Sequence, residues 1–260
     1  LTFSVAVSGK GGTGKTTIAA LLTRILWEKT GKLVLAVDAD PNSNLGEFLG
    51  VRPSKTVGDI REDLLREKDR LPPEQTKDEY LNYMILSSIV EAEGFDLLTM
   101  GRPEGPGCYC YVNTILRRLL DSLEGRYAFM VVDCEAGLEH FSRRTTRDLD
   151  VLLILTDATK RGLTTVERIK ELVGELDLRF RSLFILGNRI PPEFSGQLEE
   201  EAKTIGLPSL GMIPPDPQIQ RLDLEGAPIF KLPEASTTYR FVEEVAGRLL
   251  KLQKPMLERS

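Results

Sequence analysis

Short apolar runs rich in β-branched residues alternate along the chain with longer stretches whose apolar positions recur at helical spacing. The runs predict strands at Phe3 to Ser8, Leu33 to Asp38, Phe95 to Met100, Phe129 to Asp133, Val151 to Leu155 and Leu183 to Gly187, with a short one near Leu210 to Ile213. Helical spacing predicts helices over Thr16 to Lys29, Val112 to Leu123, Thr164 to Leu176, Phe194 to Ile205 and Tyr239 to Leu252. In the last of these, Val242, Val245, Ala246, Leu249 and Leu250 form one apolar stripe, the pattern of a face packed on a core. Strand and helix in alternation imply βα units, and hence an α/β fold with a mostly parallel β-sheet flanked by helices.

Residues 51 to 94 interrupt the alternation. They carry the charge runs Arg61-Glu62-Asp63 and Arg66-Glu67-Lys68-Asp69-Arg70, a Pro72-Pro73 breaker and a second helical period from Tyr80 to Val90. This stretch reads as a helical insertion at the edge of a single domain spanning residues 1 to 260, its mixed charges a solvated face.

Composition narrows the class. Of 260 residues 41% are hydrophobic and 28% charged, the balance of a globular chain rather than a disordered one. The formal net charge of −5 provides no electrostatic footprint for nucleic acid or for an anionic membrane. No apolar run approaches the roughly 20 residues of a membrane-spanning helix, and no signal-peptide pattern opens the chain. Three cysteines are too few and too odd in number for a disulfide framework, so reduced thiols and a cytoplasmic setting are expected.

The strongest local signal is Gly9-Lys10-Gly11-Gly12-Thr13-Gly14-Lys15-Thr16, followed by Thr17. It matches the phosphate-binding P-loop in full and stands where that motif must, between a strand and a helix. The glycines let successive backbone N–H groups converge on phosphate at a helix N-terminus. Lys15 supplies positive charge to the β- and γ-phosphates of a nucleotide, and the Thr16 hydroxyl is a Mg²⁺ ligand. Lys10 has no necessary job in cradling the chain's own phosphates. Taken alone it is either an exposed loop lysine or a group with work elsewhere.

With that second lysine the loop resembles the deviant Walker A signature of the SIMIBI ATPases, the class that holds MinD, ParA and the nitrogenase Fe protein. The resemblance implies that Lys10 reaches across a nucleotide-sandwich dimer to the partner's phosphates, as an arginine finger does in trans. It also implies that Asp40, in Asp38-Ala39-Asp40-Pro41-Asn42, orients the attacking water as part of switch I, with Asp38 shaping the strand end. Asp133, closing an apolar strand in the Walker B manner, lies near Mg²⁺, and Gly137 belongs to switch II. Asn188-Arg189 resembles the pair that meets the purine, and Pro214-Pro215 the loop packed on the base. Asn and Pro in loops are also ordinary turn residues. A guanine signature is not visible, which favours ATP over GTP.

Cys108-Tyr109-Cys110 admits three readings. A disulfide between i and i+2 is strained and the expected compartment reducing; buried packing is open to any free cysteine; and as metal ligands two thiolates are half of a four-ligand site. A two-fold axis near residue 109 would join two such pairs into a four-thiolate cage for Zn²⁺ or Ni²⁺. Together with Gly101 to Gly107 before it and Asp133-Cys134-Glu135-Ala136-Gly137-Leu138-Glu139-His140 after it, this segment resembles the CooC family across essentially the entire chain. Those proteins are nickel-insertion ATPases that mature carbon monoxide dehydrogenase, with relatives serving acetyl-CoA synthase. The resemblance implies ATP hydrolysis, a nucleotide-controlled homodimer, metal held between subunits by Cys108 and Cys110, and one of those apo-enzymes as client. It gives Cys134 no ligand role and leaves His140 open. Two other functions stay in view: a positioning ATPase like MinD or ParA, and an ATP-dependent electron donor carrying an Fe–S cluster.

Overall fold

The computed structural model of the chain describes residues 2–66, 76–101, 123, 125–134, 149–175 and 180–257. Its strands are β1 (Phe3–Gly9), β2 (Val34–Asp38), β3 (Val90–Glu91), β4 (Phe95–Thr99), β5 (Phe129–Asp133), β6 (Leu149–Thr156), β7 (Phe180–Asn188) and β8 (Ser209–Ile213). They form one sheet in the order β3-β4-β2-β5-β1-β6-β7-β8. Every pairing is parallel except that of β3 with β4, where Val90 faces Leu97 and Glu91 faces Asp96. The predicted parallel α/β architecture is the one observed.

Alternation along each strand splits the core in two. Phe3, Val5 and Val7 of β1, Val34 and Ala36 of β2, Phe129 and Val131 of β5 and Val151, Leu153 and Leu155 of β6 pack on one face. Ala6, Leu35, Val37, Val132, Leu152 and Ile154 pack on the other. Both faces are covered, which is why these strands read as unbroken apolar runs rather than as alternating ones.

The first face is covered by α1 (Lys15–Thr30), α2 (Leu45–Leu49), and a C-terminal helix, Thr237–Leu257. Every residue of α1 from Thr17 to Leu26 is buried, as expected of a helix enclosed on all sides. Arg24 is buried with it and ties the layer together, donating to the carbonyls of Ile229 and Leu232 at 3.0 and 2.7 Å. The second face is covered by α3 (Val57–Arg66), α4 (Lys77–Ser88), α5 (Lys160–Glu175) and α6 (Pro192–Ile205), through residues such as Val57, Ile60, Leu81, Ile85, Val166 and Ile169. The stretch expected as an edge insertion contributes α3 and α4, which pack on the sheet, and Arg61 Nη1 and Glu62 Oε1 are buried with them.

Local features depart from the sequence reading; α5, expected over Thr164 to Leu176, begins four residues earlier at Lys160. The helix expected over Tyr80 to Val90 spans Lys77–Ser88, started by a Thr76–Glu79 capping box, and its expected last residue belongs to β3 instead. Helices at Leu45–Leu49 and at α7 (Pro217–Glu225) were not expected. The second has a clear signal in retrospect, since Asp216 accepts from the Gln218 N–H at 2.9 Å and Pro217 opens the helix. The C-terminal helix, now α8, begins two residues before and ends five residues after the expected span of Tyr239 to Leu252. The helix expected over Val112 to Leu123 lies outside the described residues but for Leu123, which sits in a turn.

Candidate active site

A parallel sheet brings the carboxyl ends of its strands to one edge, and in open α/β sheets that edge is where ligands bind. Here it gathers Gly9 from β1, Asp38 from β2, Asp133 from β5, Thr156 from β6, Asn188 from β7 and Ile213 from β8. The register is tight. Asp38 is the cross-strand partner of Asp133, Val7 is also paired with Asp133, and Gly9 is paired with Leu155.

The loop from Gly9 to Gly14 turns the chain from β1 into α1. Gly9 has φ 143°, and a Cβ there would stand 2.3 Å from the Leu155 carbonyl oxygen, so the strand-to-loop turn demands glycine. Gly12 and Gly14 also take positive φ, 80° and 86°; around Gly11 and Gly12 a Cβ would meet nothing within 4 Å. The loop is therefore open around Gly11 and Gly12. Its shape is held by the Lys10 carbonyl, which accepts from the Thr13 hydroxyl at 2.8 Å and from the Lys15 ammonium at 3.4 Å. Lys15 is buried with its charge in the cradle, and Thr16 and Thr17 follow in the first turn of α1.

Below the cradle, the period of two places Asp38 and Asp133 on the sheet face that α1 covers. Both are buried. Burial raises the Asp38 carboxyl to about 7, even though the N–H groups of Leu45 and Asp40 bond it at 2.9 and 3.2 Å, and nearby Asp133 adds to the rise. Burial likewise raises Asp133 to about 6; the neighbouring Thr16 hydroxyl and Lys15 ammonium draw it downward and Asp40 pushes it up. Neither Asp133 oxygen completes a hydrogen bond among the described residues. An orphaned carboxylate beside a helix-start hydroxyl fits Mg²⁺, which takes one or two protein oxygens and completes its shell with water and phosphate. Thr16 and Asp133 would hold it. Among the described residues, no group of three or more His, Cys, Asp or Glu side chains forms a metal cage.

Asp40 sits on the rim, partly exposed, and its Oδ1 accepts from the backbone and side-chain amides of Asn42 at 2.8 and 2.9 Å. Asn188 is buried against the loop and donates from Nδ2 to the Thr13 carbonyl at 2.8 Å. A Cβ on Gly14 would lie 2.5 Å from that nitrogen, so this glycine makes room for Asn188. Arg189 adopts φ 59° and approaches Asp223 at 3.9 Å, and Pro214 and Pro215 border the same end of the sheet. The structure therefore brings together Gly9 to Thr17, Asp38, Asp40, Asp133, Asn188, Arg189, Pro214 and Pro215. Gly137, Cys108, Cys110 and His140 lie outside the described residues. Cys134 is buried, and burial pushes its thiol well above the usual range. One group at this edge was missed: Asp157, just beyond β6, ion-paired to Lys10 at 2.9 Å. Its only sequence signal is Asp157-Ala158-Thr159 ahead of a helix, an ordinary cap.

A strand, a glycine cradle with a buried lysine, a helix-start threonine and an orphaned strand-end carboxylate define a P-loop ATPase. A model of the CobQ/CobB/MinD/ParA nucleotide binding domain matches residues 4–229, and the chain belongs to that family. It is 49% identical to an uncharacterized ATP-binding protein of Methanocaldococcus jannaschii, over 95% of this chain and 98% of that one. It is 33% identical to the carbon monoxide dehydrogenase accessory protein CooC of Rhodospirillum rubrum, over 89% of this chain and 90% of that one. Among solved structures it resembles the septum site-determining protein MinD of Pyrococcus horikoshii OT3 complexed with Mg-ADP, with TM-score 0.69, 26% identity and 97% of each chain covered.

Proposed function

We propose that this ATPase is a metallochaperone that works as a homodimer and delivers nickel during maturation of carbon monoxide dehydrogenase or acetyl-CoA synthase. The observation that carries the reading is the end-to-end likeness to CooC, in a chain that also holds the Cys108-Tyr109-Cys110 doublet. The cargo, Ni²⁺ or Zn²⁺, binds between subunits to four thiolates, two from each copy. ATP lies along the cradle, with Lys15 on its terminal phosphates and Asn188-Arg189 and Pro214-Pro215 toward the base. When bound, Mg²⁺ neutralises the charge that develops on the transferring phosphoryl group. Lys10 from the partner completes that neutralisation, so hydrolysis awaits dimer closure. Asp40 aligns the attacking water once its carboxylate leaves Asn42, and Gly137 reports the γ-phosphate to the cage. Closure and reopening change the cage, and reopening releases the metal to the client.

Metal content and oligomeric mass of anaerobically purified protein, with and without Mg-ATP, test this directly. Expected are one metal ion per dimer and its loss in the Cys108→Ser/Cys110→Ser variant. Unchanged metal binding in that variant would remove the cage. The likeness to MinD supports a second reading, a positioning ATPase acting on a membrane or nucleoid. Co-sedimentation with anionic liposomes and with DNA separates the two, and the net charge of −5 favours neither surface.

A further inference from the structure

Lys10, the residue on which trans-activation rests, is engaged within its own subunit. Its ammonium donates to Asp157 Oδ2 at 2.9 Å and to the Thr159 hydroxyl at 3.4 Å. The two oxygens of Asp157 divide their tasks. Oδ1 accepts from the Thr159 N–H at 3.1 Å and from the Thr159 hydroxyl, while that hydroxyl in turn accepts from the Gly162 N–H at 3.1 Å. This is a cap at the N-terminus of α5. A Cβ on Gly162 would stand 2.4 Å from Oδ1, so the first turn of α5 keeps space for the carboxylate. Oδ2 is left for Lys10.

We infer that Asp157 is a positioning residue that latches Lys10 to its own subunit until a second copy presents its phosphates. The inference rests on the reading that Lys10 acts across a dimer, and adds an intrachain competitor to it. The competition is balanced by geometry. Both side chains are about one-third exposed, 33% for Lys10 and 31% for Asp157, so water and salt screen the pair and it is weak enough to exchange. A nucleoside triphosphate carries several negative charges against the single charge of Asp157, and prevails once the partner's cradle comes within reach. Desolvation alone would raise the Asp157 carboxyl, yet the bonds from Thr159 and Lys10 hold it below the usual range, so it stays charged at neutral pH. The consequence is a triphosphate-bound dimer weaker than its contacts allow, because the latch must open to form it, and a lysine kept off its own subunit's phosphates.

Asp157→Asn separates the two tasks, because Asn keeps an oxygen for the helix cap and replaces the Lys10 acceptor with an amide nitrogen. Sedimentation with Mg²⁺ and a non-hydrolysable ATP analogue is expected to show a dimer dissociation constant lowered roughly threefold per subunit, about tenfold for the dimer, as suits an exposed ion pair. The melting temperature should hardly move. Thr159→Val provides the opposite case: the cap weakens, melting falls and the dimer is not tightened. Equal tightening by both variants would mean that Asp157 acts only through the helix cap, and overturns the latch. So does an unchanged or weakened dimer in Asp157→Asn. Should Asp157→Asn melt early, Asp157→Ser, which caps through its own hydroxyl, is read in the same way. Lys10→Ala tells the two failures apart. If it dimerises like the wild type, the trans reading itself is wrong; if it loses the dimer while Asp157→Asn changes nothing, only the latch is.

Discussion

Asp38 and Asp133 are register partners at the carboxyl ends of adjacent parallel strands, both buried on the same side of the sheet and both with carboxyls raised by that burial, to about 7 and about 6. Two like charges in a dry site oppose one another until a cation or a proton relieves them.

The nucleotide-free protein is therefore expected to lose stability as pH rises. An acid whose folded value exceeds its unfolded value of 3.8 costs nothing below about pH 4, and its penalty grows through the interval up to 6 and 7 and is complete above it. The pair contributes a destabilisation on the order of a few kcal/mol at pH 8. Thermal melting between pH 5 and 8 checks this. Asp133→Asn should flatten the slope and raise the melting temperature of the nucleotide-free form, while abolishing the stabilisation that Mg-ATP confers on the wild type. A steeper slope in the variant would contradict the assignment.

The loop glycines should separate fold from ligand. Gly9→Ala places a methyl group against the Leu155 carbonyl at a positive φ, and is expected to cost more than about 2 kcal/mol of stability in denaturant unfolding. Gly12→Ala meets no protein atom within 4 Å, so its cost is limited to the backbone strain of about 1–2 kcal/mol. Its methyl group would stand in open space at the loop where the P-loop motif binds phosphate, and ATP affinity measured by calorimetry should fall at least tenfold.

Asn188→Ala removes the amide that holds the Thr13 carbonyl at 2.8 Å. A lost bond to a buried carbonyl is worth about 1–3 kcal/mol, and the cradle it steadies should bind ATP at least tenfold more weakly. Asn188→Asp, which replaces the donor by an acceptor facing a carbonyl, should be the worse of the two in both melting and ATP titration.

Hydrolysis should depend on the two lysines differently. Lys15→Ala is expected to lose ATP binding itself. Lys10→Ala should keep ATP binding in the single subunit and lower kcat by about a thousandfold, the scale of an arginine finger. Specific activity of the wild type should rise with protein concentration, and that of Lys10→Ala should not. A rate independent of concentration in the wild type would place the whole catalytic apparatus in one subunit.

Much of this was legible in the order of residues. Parallel strands buried on both faces leave unbroken apolar runs, so β1, β2, β5 and β6 stood out and their ends were placed within one or two residues. The P-loop is contiguous and its chemistry is local, so spacing alone revealed it. Less could be read where a helix is short or a strand is two residues long, as with Leu45–Leu49 and Val90–Glu91, because so few positions establish no period. In the charged stretch after residue 51 the sequence shows helical period and charge but not what the helices pack on, which the burial of Ile60, Leu81 and Ile85 decides.

The sequence by itself determined the fold class, the phosphate cradle and the candidate carboxylates, since each is written in neighbouring residues or in a periodic pattern. Tertiary structure alone decided which groups meet across the sheet: Asp38 with Asp133, 95 positions apart, Asn188 with Thr13, 175 apart, and Lys10 with Asp157, 147 apart. Strand order sets those neighbours, and it depends on how buried strands sort themselves within the sheet, a choice that no local run of residues encodes.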